Sequence, residues 1–247
     1  MQNKFVAFLD LMGFKSLIEN NKIDKLIELY KSALEDTVYK TFSIWERIPE
    51  ASDQYLKINI IIISDSLIIW TENDDLNGFI KLVITVKNLL FSSIIKGLPL
   101  RGAICHGNLE MFETSFMKKH NLLSSPVILG NGLTKAYELE RKQAWSGCVI
   151  SNESIARFKE QYKPEFLTLD ILLKEKIIIS YPVPFYNKKE VTCEINHVIN
   201  WPIFKQRKLE ERFFANQFKE HGKTIDKKVQ GIIDQTIKFY NFCWDNY

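Results

Sequence analysis

The chain has 247 residues, 46% of them hydrophobic and 26% charged, which is enough for one large buried core or one core with a sizeable appendage. A formal charge of +3 is too mild to point to nucleic acid or a membrane surface, and the basic pairs Lys118-Lys119, Lys188-Lys189 and Lys227-Lys228 are scattered. Cys105, Cys148, Cys193 and Cys243 are widely spaced, form no CxxC and stand apart from the four His residues, which argues against a zinc site and for reduced thiols.

In chain order, Phe5 to Leu9 is a short unbroken apolar run that suits a central strand covered on both faces. After Gly13, the apolar residues Ile23, Leu26, Ile27, Tyr30, Leu34, Val38, Phe42 and Trp45 recur every three or four positions and predict one long helix, ended by Pro49 and Glu50-Ala51-Ser52-Asp53. Lys57 to Ile63 and Leu67 to Thr71 read as strands joined tightly at Ser64-Asp65-Ser66. Glu72-Asn73-Asp74-Asp75 caps a second helix with Leu76, Phe79, Ile80, Val83, Leu90 and Ile94 on one face. Gly97 stops that helix and Pro99 opens a strand from Leu100 to Cys105. No apolar stretch is read as reaching the roughly 18 residues of a membrane span, so a cytoplasmic protein with no membrane partner is expected.

This order of strand, helix, strand, strand, helix, strand predicts an α+β, ferredoxin-like (βαββαβ) domain with helices on one face of an antiparallel sheet. Val127 to Leu129, the Gly130-Asn131-Gly132 turn and a helix from Leu133 to Lys142 add a further strand and helix, and Cys148 to Ser151 with Ile155-Ala156 adds another pair. Between Tyr162 and Asn200 only short branched runs such as Ile177-Ile178-Ile179 appear, interrupted by Pro182 and Pro184. From Leu209 the pattern is helical, with Ile225, Val229, Ile232, Ile233, Thr236, Tyr240 and Cys243 on one stripe. Residues 1–160 are therefore expected to form the main domain, with residues 161–247 as a helical C-terminal extension packed on it.

Two acidic strand ends carry most of the chemistry. Phe5 to Leu9 ends on Asp10, and Ile60-Ile61-Ile62-Ile63 ends on Ser64-Asp65-Ser66. A carboxylate at the end of a buried strand is costly unless it is paired or bound to a metal. The bland readings are a helix N-cap for Asp10 and an ordinary hairpin residue for Asp65. Brought side by side, the two would suit Mg²⁺ or Mn²⁺.

The segment Phe8-Leu9-Asp10-Leu11-Met12-Gly13-Phe14 resembles the metal-binding segment that opens class III nucleotidyl cyclase domains. Ile63-Ser64-Asp65-Ser66 stands where those enzymes carry their second metal Asp, and Leu100-Arg101-Gly102-Ala103-Ile104-Cys105-His106-Gly107 is similar to their Arg-containing strand. Gly130-Asn131-Gly132-Leu133-Thr134-Lys135-Ala136-Tyr137-Glu138-Leu139-Glu140 follows the outline of the helix that completes their site. Within that superfamily the chain looks most like the stand-alone pyrimidine cyclases of bacterial anti-phage (Pycsar) operons, to which Asn200-Trp201-Pro202 and the helical tail are also similar.

The resemblance implies a cyclase that makes cCMP or cUMP from CTP or UTP and releases pyrophosphate, with two Mn²⁺ or Mg²⁺ ions per site. Asp10, the Leu11 carbonyl and Asp65 would hold the metals, Asp10, Asp65 and Arg101 would act in catalysis, and the amides of Met12, Gly13 and Phe14 would cradle phosphates. It also implies a homodimer with interfacial active sites and a separate effector that senses the cyclic nucleotide.

Departures from the pattern matter as much. The Asn and Arg that orient ribose and stabilise the transition state in the purine enzymes are replaced by Thr134 and Glu138. Arg101, Lys135, Arg141 and Lys142 are the nearby cations that could substitute. The two base-reading positions hold Ile61 and Val127, which make no directional side-chain hydrogen bond, and this favours a pyrimidine. Arg101 is read either as a phosphate contact or as the partner of a buried carboxylate. His106 is read as structural, and Tyr55, Trp70 and Tyr137 as core or interface aromatics. An adenylate or guanylate cyclase with an atypical pocket and a catalytically inactive nucleotide-binding homologue are the rival readings.

Overall fold

The computed structural model describes residues 2–45, 57–118, 121–161, 176–188, 190–202 and 208–247. The expected end of the first helix at Pro49, the aromatic Tyr55 and Lys119 lie outside these residues.

Strand β1 (Asn3–Leu11) is followed by helices α1 (Phe14–Glu19) and α2 (Ile23–Tyr30), and a π-helical turn, Lys31–Glu35, leads into α3 (Asp36–Trp45). Next come β2 (Ile58–Ile63), β3 (Ser66–Thr71), α4 (Leu76–Ile95) and β4 (Leu100–Asn108). Their order in the sheet is β2-β3-β1-β4, antiparallel throughout, which is the ferredoxin-like arrangement expected. The second half of the chain extends this sheet. β7 (Cys148–Ile150) pairs parallel to β4 and leads into α6 (Asn152–Glu160), and the β8 (Ile178–Asn187) and β9 (Glu190–Ile199) hairpin completes the far edge. Pro182 and Pro184 sit in β8, the edge strand, where a missing N–H costs no ladder bond.

Alternation along β1 divides the core. Phe5, Ala7, Leu9 and Leu11 join the large cluster built with α4 and the C-terminal helices α7 (Glu211–Lys219) and α8 (Lys227–Asn246). Val6 and Phe8 face the other way, into a smaller cluster with Ile68, Trp70 and Ala136 of α5 (Asn131–Arg141). Trp70 is thus a core residue, whereas Tyr137 is largely exposed and meets Phe8 edge-on. In the large cluster Trp145 stacks on Tyr181, with ring centroids 5.3 Å apart, and meets Phe239 edge-on at 4.5 Å, which ties α8 to the body of the sheet. From Glu211 the C-terminal part is helical as expected, whereas residues 178–199 of the expected helical extension are strands β8 and β9 of the main sheet.

Three differences from the sequence pattern have physical causes. The long helix expected after Gly13 is broken at Asn20–Lys22: Asn20 leaves helical geometry and Lys22 is extended, while the Asn21 amide bonds both the Leu17 and His221 carbonyls. Ile23 and Ile27 lie on the exposed side of α2, so part of the apolar periodicity marks surface rather than core. A second hairpin, β5 (Glu110–Lys118) and β6 (Asn121–Leu129), stands outside the main sheet, and only its last residues were legible as a strand. Finally, α4 is long and apolar enough to cross a membrane, at 20 residues and a mean hydropathy of 1.6 in its most apolar stretch. In this fold it is a core helix that buries Phe79, Leu82, Val83, Val86 and Leu89 completely.

Candidate active site

Both acidic strand ends arrive at the same end of the sheet. In the ladder Asp10 stands opposite Ser66 of β3 on one side and Arg101 of β4 on the other. The β2–β3 turn is tight because Ser64 adopts a left-handed conformation, with φ 58°. Its position is fixed by the Leu11 amide, which donates to the Asp65 carbonyl at 2.8 Å, and by the Tyr30 hydroxyl, which donates to the Ser64 carbonyl at 3.0 Å. The chain then turns into α1 through Gly13, whose φ of +78° favours a residue without a side chain. The Met12 amide is donated to the Pro99 carbonyl at 3.0 Å, which leaves Gly13 and Phe14 as the turn's amides for a ligand. Phe14 packs on the core edge and lines an open apolar cleft of about 310 Å³ with Ile18, Leu26, Ile27 and Tyr30.

Arg101 is held firmly. Its Nε donates to Glu140 of α5 at 2.5 Å and one terminal nitrogen donates to the Gln143 carbonyl at 3.0 Å, while the other lies 3.9 Å from Asp10. Glu140, almost fully buried, is therefore its principal partner. Asp10, Asp65 and Glu140 set three carboxylates against this one guanidinium. Burial first, then Glu140 and Asp65, push the Asp10 carboxyl up to about 7, against the pull of Arg101. Glu140 is also raised, chiefly by burial, despite its bonds to Arg101. The Tyr30 hydroxyl is pushed up by burial and by the charges of Asp65 and Asp10.

A cluster short of positive charge, with oxygen donors partly open to solvent, has the chemistry of a hard divalent cation site. Asp10, Asp65 and the Leu11 carbonyl are the residues that fit one. Among the described residues no three His, Cys, Asp or Glu side chains converge as a metal cluster, in keeping with Glu140 serving Arg101.

Other expected site residues lie elsewhere. The N-terminus of α5 packs at the far end of β4, where Asn108 and Asn131 exchange reciprocal amide-to-side-chain bonds of 2.9 Å. Gly107 permits that approach, since a Cβ there would fall 2.3 Å from the Asn131 Oδ1. From Arg101 to Gly107 is six strand residues, or roughly 20 Å. Exposed Thr134 and Lys135 are near that far end, with Lys135 acting on Cys105 and Glu153 instead of on Asp10. Val127 pairs with Phe112 in the separate hairpin, and Ile61 pairs with Ile68 on β2, four residues short of Asp65. Arg141 is exposed over the Tyr137 ring. One chain thus assembles Asp10, Leu11, the 12–14 turn, Asp65 and Arg101, but not Thr134, Lys135 or Val127. His106 bonds Asp74 at 3.1 Å, beside Arg157.

Sequence reasoning assigned no role to Glu140 or Tyr30. Glu140 follows Gly132 and Ala136 at four-residue spacing on the buried face of α5, and a carboxylate in such a row is a readable signal. Tyr30 gave none beyond the apolar stripe of its helix.

No family model matches the chain, and no curated protein matches its sequence. Among solved structures, the adenylyl cyclase CyaB from P. aeruginosa is similar over 85% of this chain and 97% of its own, with 14% identity and a TM-score of 0.49. The guanylyl cyclase Cya2 is similar over 80% and 91%, with 8% identity and a TM-score of 0.46. The guanylyl cyclase domain of the RhoGC fusion protein from the aquatic fungus Blastocladiella emersonii covers 81% and 97%, with 10% identity and a TM-score of 0.42. Likeness at this level does not identify what the chain does.

Proposed function

We propose that the chain is a metal-dependent nucleotidyl cyclase of the class III type, converting CTP or UTP to the 3′,5′-cyclic monophosphate and pyrophosphate. The observation that carries this reading is the convergence of Asp10 and Asp65 at one end of adjacent antiparallel strands, in a cluster with more negative than positive charge, beside the Gly13 turn.

Asp10, Asp65 and the Leu11 carbonyl would hold two Mn²⁺ or Mg²⁺ ions, which when bound lower the pKa of the ribose 3′-hydroxyl and neutralise phosphate charge. The Gly13 and Phe14 amides orient the terminal phosphates, and Gly13 lets them approach closely. Arg101, through Glu140 and Gln143, fixes the angle at which β4 presents the site and moderates the charge on Asp10. With Ile61 and Val127 apolar, base selection rests on size and on backbone contacts, which suits a pyrimidine. Thr134, Lys135 and Val127 lie too far away to serve the same chain's carboxylates, so a second copy would bring them to the site and the working form is a homodimer. Its product would act on a separate effector, in a cytoplasmic anti-phage signal.

The engagement of Arg101 by two acceptors and by the Asp10 carboxylate at 3.9 Å favours a second reading, a nucleotide binder without turnover. Incubating the purified protein with Mn²⁺ and each of the four NTPs separates the two. A cyclic pyrimidine product that disappears in Asp10→Ala and Asp65→Ala supports the cyclase, a cyclic purine reassigns the substrate, and no product from any NTP refutes turnover.

A further inference from the structure

Beside the two carboxylates the sheet carries an apolar row. Phe8 of β1 stands opposite Ile68 of β3, which pairs with Ile61 of β2, and Ile61 is only half-buried. Phe8 and Asp10 point to the same face of the sheet, two strand residues or roughly 7 Å apart. That spacing is comparable with the width of the ribose that separates an α-phosphate from its base.

Helix α5 packs on this face, over β1 and β4. Its buried line is Gly132, Ala136 and Glu140, and Glu140 reaches Arg101 beside Asp10. One flank of the helix turns to β4, where the Gln143 side-chain amide donates to the Gly102 carbonyl at 2.8 Å. Tyr137 and Arg141 lie one turn apart on the opposite flank, which faces β3 and β2. Tyr137 is 43% exposed and meets Phe8 edge-on, with ring centroids 5.4 Å apart. The Arg141 guanidinium lies 5.5 Å from the centre of the Tyr137 ring and donates to its hydroxyl at 3.4 Å. Among the described residues no carboxylate lies within ion-pair distance of Arg141. Its charge nonetheless reaches the site: burial raises Glu140, and Arg101 first and then Arg141 pull it back.

A pair four residues apart steadies any exposed helical turn. That role does not require the aromatic member to be anchored on Phe8, in the strand that carries Asp10, or the cation to keep its donors unspent. Arginine has a planar fork of N–H donors and no acceptor, so it selects a ligand edge with two adjacent acceptors. Cytosine presents such an edge in O2 and N3, whereas uracil places an N3–H donor between O2 and O4.

We propose that Arg141 reads the base of the nucleotide by donating two hydrogen bonds to O2 and N3 of cytosine, with Tyr137 as its positioning residue, so that the substrate is CTP and not UTP. This adds a directional contact to selection by size. Guanine offers a like pair in O6 and N7, so the choice of cytosine rests on the pyrimidine-cyclase reading. The contact is made before and after cyclisation alike, so it acts on binding more than on turnover.

The test uses α,β-methylene analogues of CTP, UTP and GTP, which cannot be cyclised. Their binding with Mg²⁺ is measured by calorimetry for wild type, Arg141→Lys and Tyr137→Ala, with inorganic tripolyphosphate as the base-free control and thermal melting for folding. Wild type is expected to bind the CTP analogue about tenfold more tightly than the UTP analogue, a ratio that one bidentate pair supplies. Arg141→Lys keeps the charge but loses the fork, and is expected to bring the ratio within about twofold through weaker CTP binding. Tyr137→Ala should lower the ratio about threefold, and both variants should bind tripolyphosphate within about twofold of wild type. No binding of any analogue by wild type, equal or tighter binding of the UTP or GTP analogue, or an unchanged ratio in either folded variant overturns the proposal. Equal weakening of the CTP analogue, the UTP analogue and tripolyphosphate in Arg141→Lys makes Arg141 a phosphate contact and likewise overturns it. Should Arg141→Lys not fold, Arg141→Gln takes its place, and failure of both makes Arg141 a fold residue only and overturns the proposal. The two readings fail separately. Cyclic product from wild type with an unchanged ratio in Arg141→Lys removes the Arg141 role alone. A CTP preference that is lost in Arg141→Lys, with no cyclic product from any NTP, leaves Arg141 in place and removes the cyclase.

Discussion

Replacing Asp10 by Asn should make the metal-free protein more stable while abolishing its activity. The wild-type carboxyl is lifted from its ordinary 3.8 to about 7 by burial, Glu140 and Asp65. At about 1.4 kcal/mol per pKa unit that is about 4 kcal/mol of strain in the ionised folded state, and 2–4 kcal/mol is a realistic range once water around the partly open side chain is allowed for. Because this acid's folded pKa is raised, the penalty is absent below about pH 4, grows between pH 4 and 7, and is complete above 7. Asp10→Asn carries no such charge, so its advantage is largest at alkaline pH and mostly gone by pH 4.5. For a chain of this size the gain corresponds to on the order of 5–10 °C in melting temperature. The assay is thermal unfolding of both proteins with EDTA at pH 4.5 and 8.5, followed by titration of Mn²⁺ at pH 8.5. Mn²⁺ should stabilise wild type and leave Asp10→Asn unmoved, since a ligand stabilises only the state that binds it. Equal melting temperatures at pH 8.5 with EDTA, or a difference that does not change with pH, would refute the electrostatic account of this cluster.

Two further outcomes are expected. Arg101→Met strands the buried Glu140 carboxylate and should cost about 3–5 kcal/mol in urea unfolding, most of which returns in Arg101→Met with Glu140→Met, where no lone charge remains. Asp74, whose value burial raises but the hydrogen bonds from Arg157 and His106 bring below the ordinary carboxylate range, should contribute about 1 kcal/mol at pH 7. That contribution is present above about pH 4 and fades as pH falls through the lowered value, so the gap between Asp74→Asn and wild type in urea unfolding should narrow steadily as pH falls below 4, and a constant gap would contradict the pairing.

The legible parts of this molecule were those set by near neighbours in the chain. Phe5 to Leu9 reads as a doubly covered strand because its apolar run is unbroken, and it is buried on both faces. Asp75 reads as a helix cap and accepts the Gly78 amide at 2.6 Å. The elements of the first βαββαβ unit follow from such local patterns, although of its strand pairs only β2–β3 joins neighbours in the chain, while β1 pairs with the distant β3 and β4. The β5–β6 hairpin was nearly invisible, since strand pairing outside the main sheet leaves no clean alternation of apolar and polar residues. The β8–β9 edge was hidden for a related reason: prolines argue against a central strand but are tolerated at an edge, and position in the sheet is a tertiary fact.

By itself the sequence determined that two carboxylates end apolar strands and that a glycine turn follows the first of them. Those are properties of single segments. Only the tertiary structure decided what surrounds them. It gave Arg101 to Glu140 before Asp10 and placed Tyr30 over the hairpin. It set Thr134 and Lys135 near the far end of β4 and laid Lys223, some 210 residues along the chain, against Gly13. These contacts join residues whose order in the chain says nothing of their separation in space, and burial, which sets the charge state of Asp10, exists only once the layers have packed.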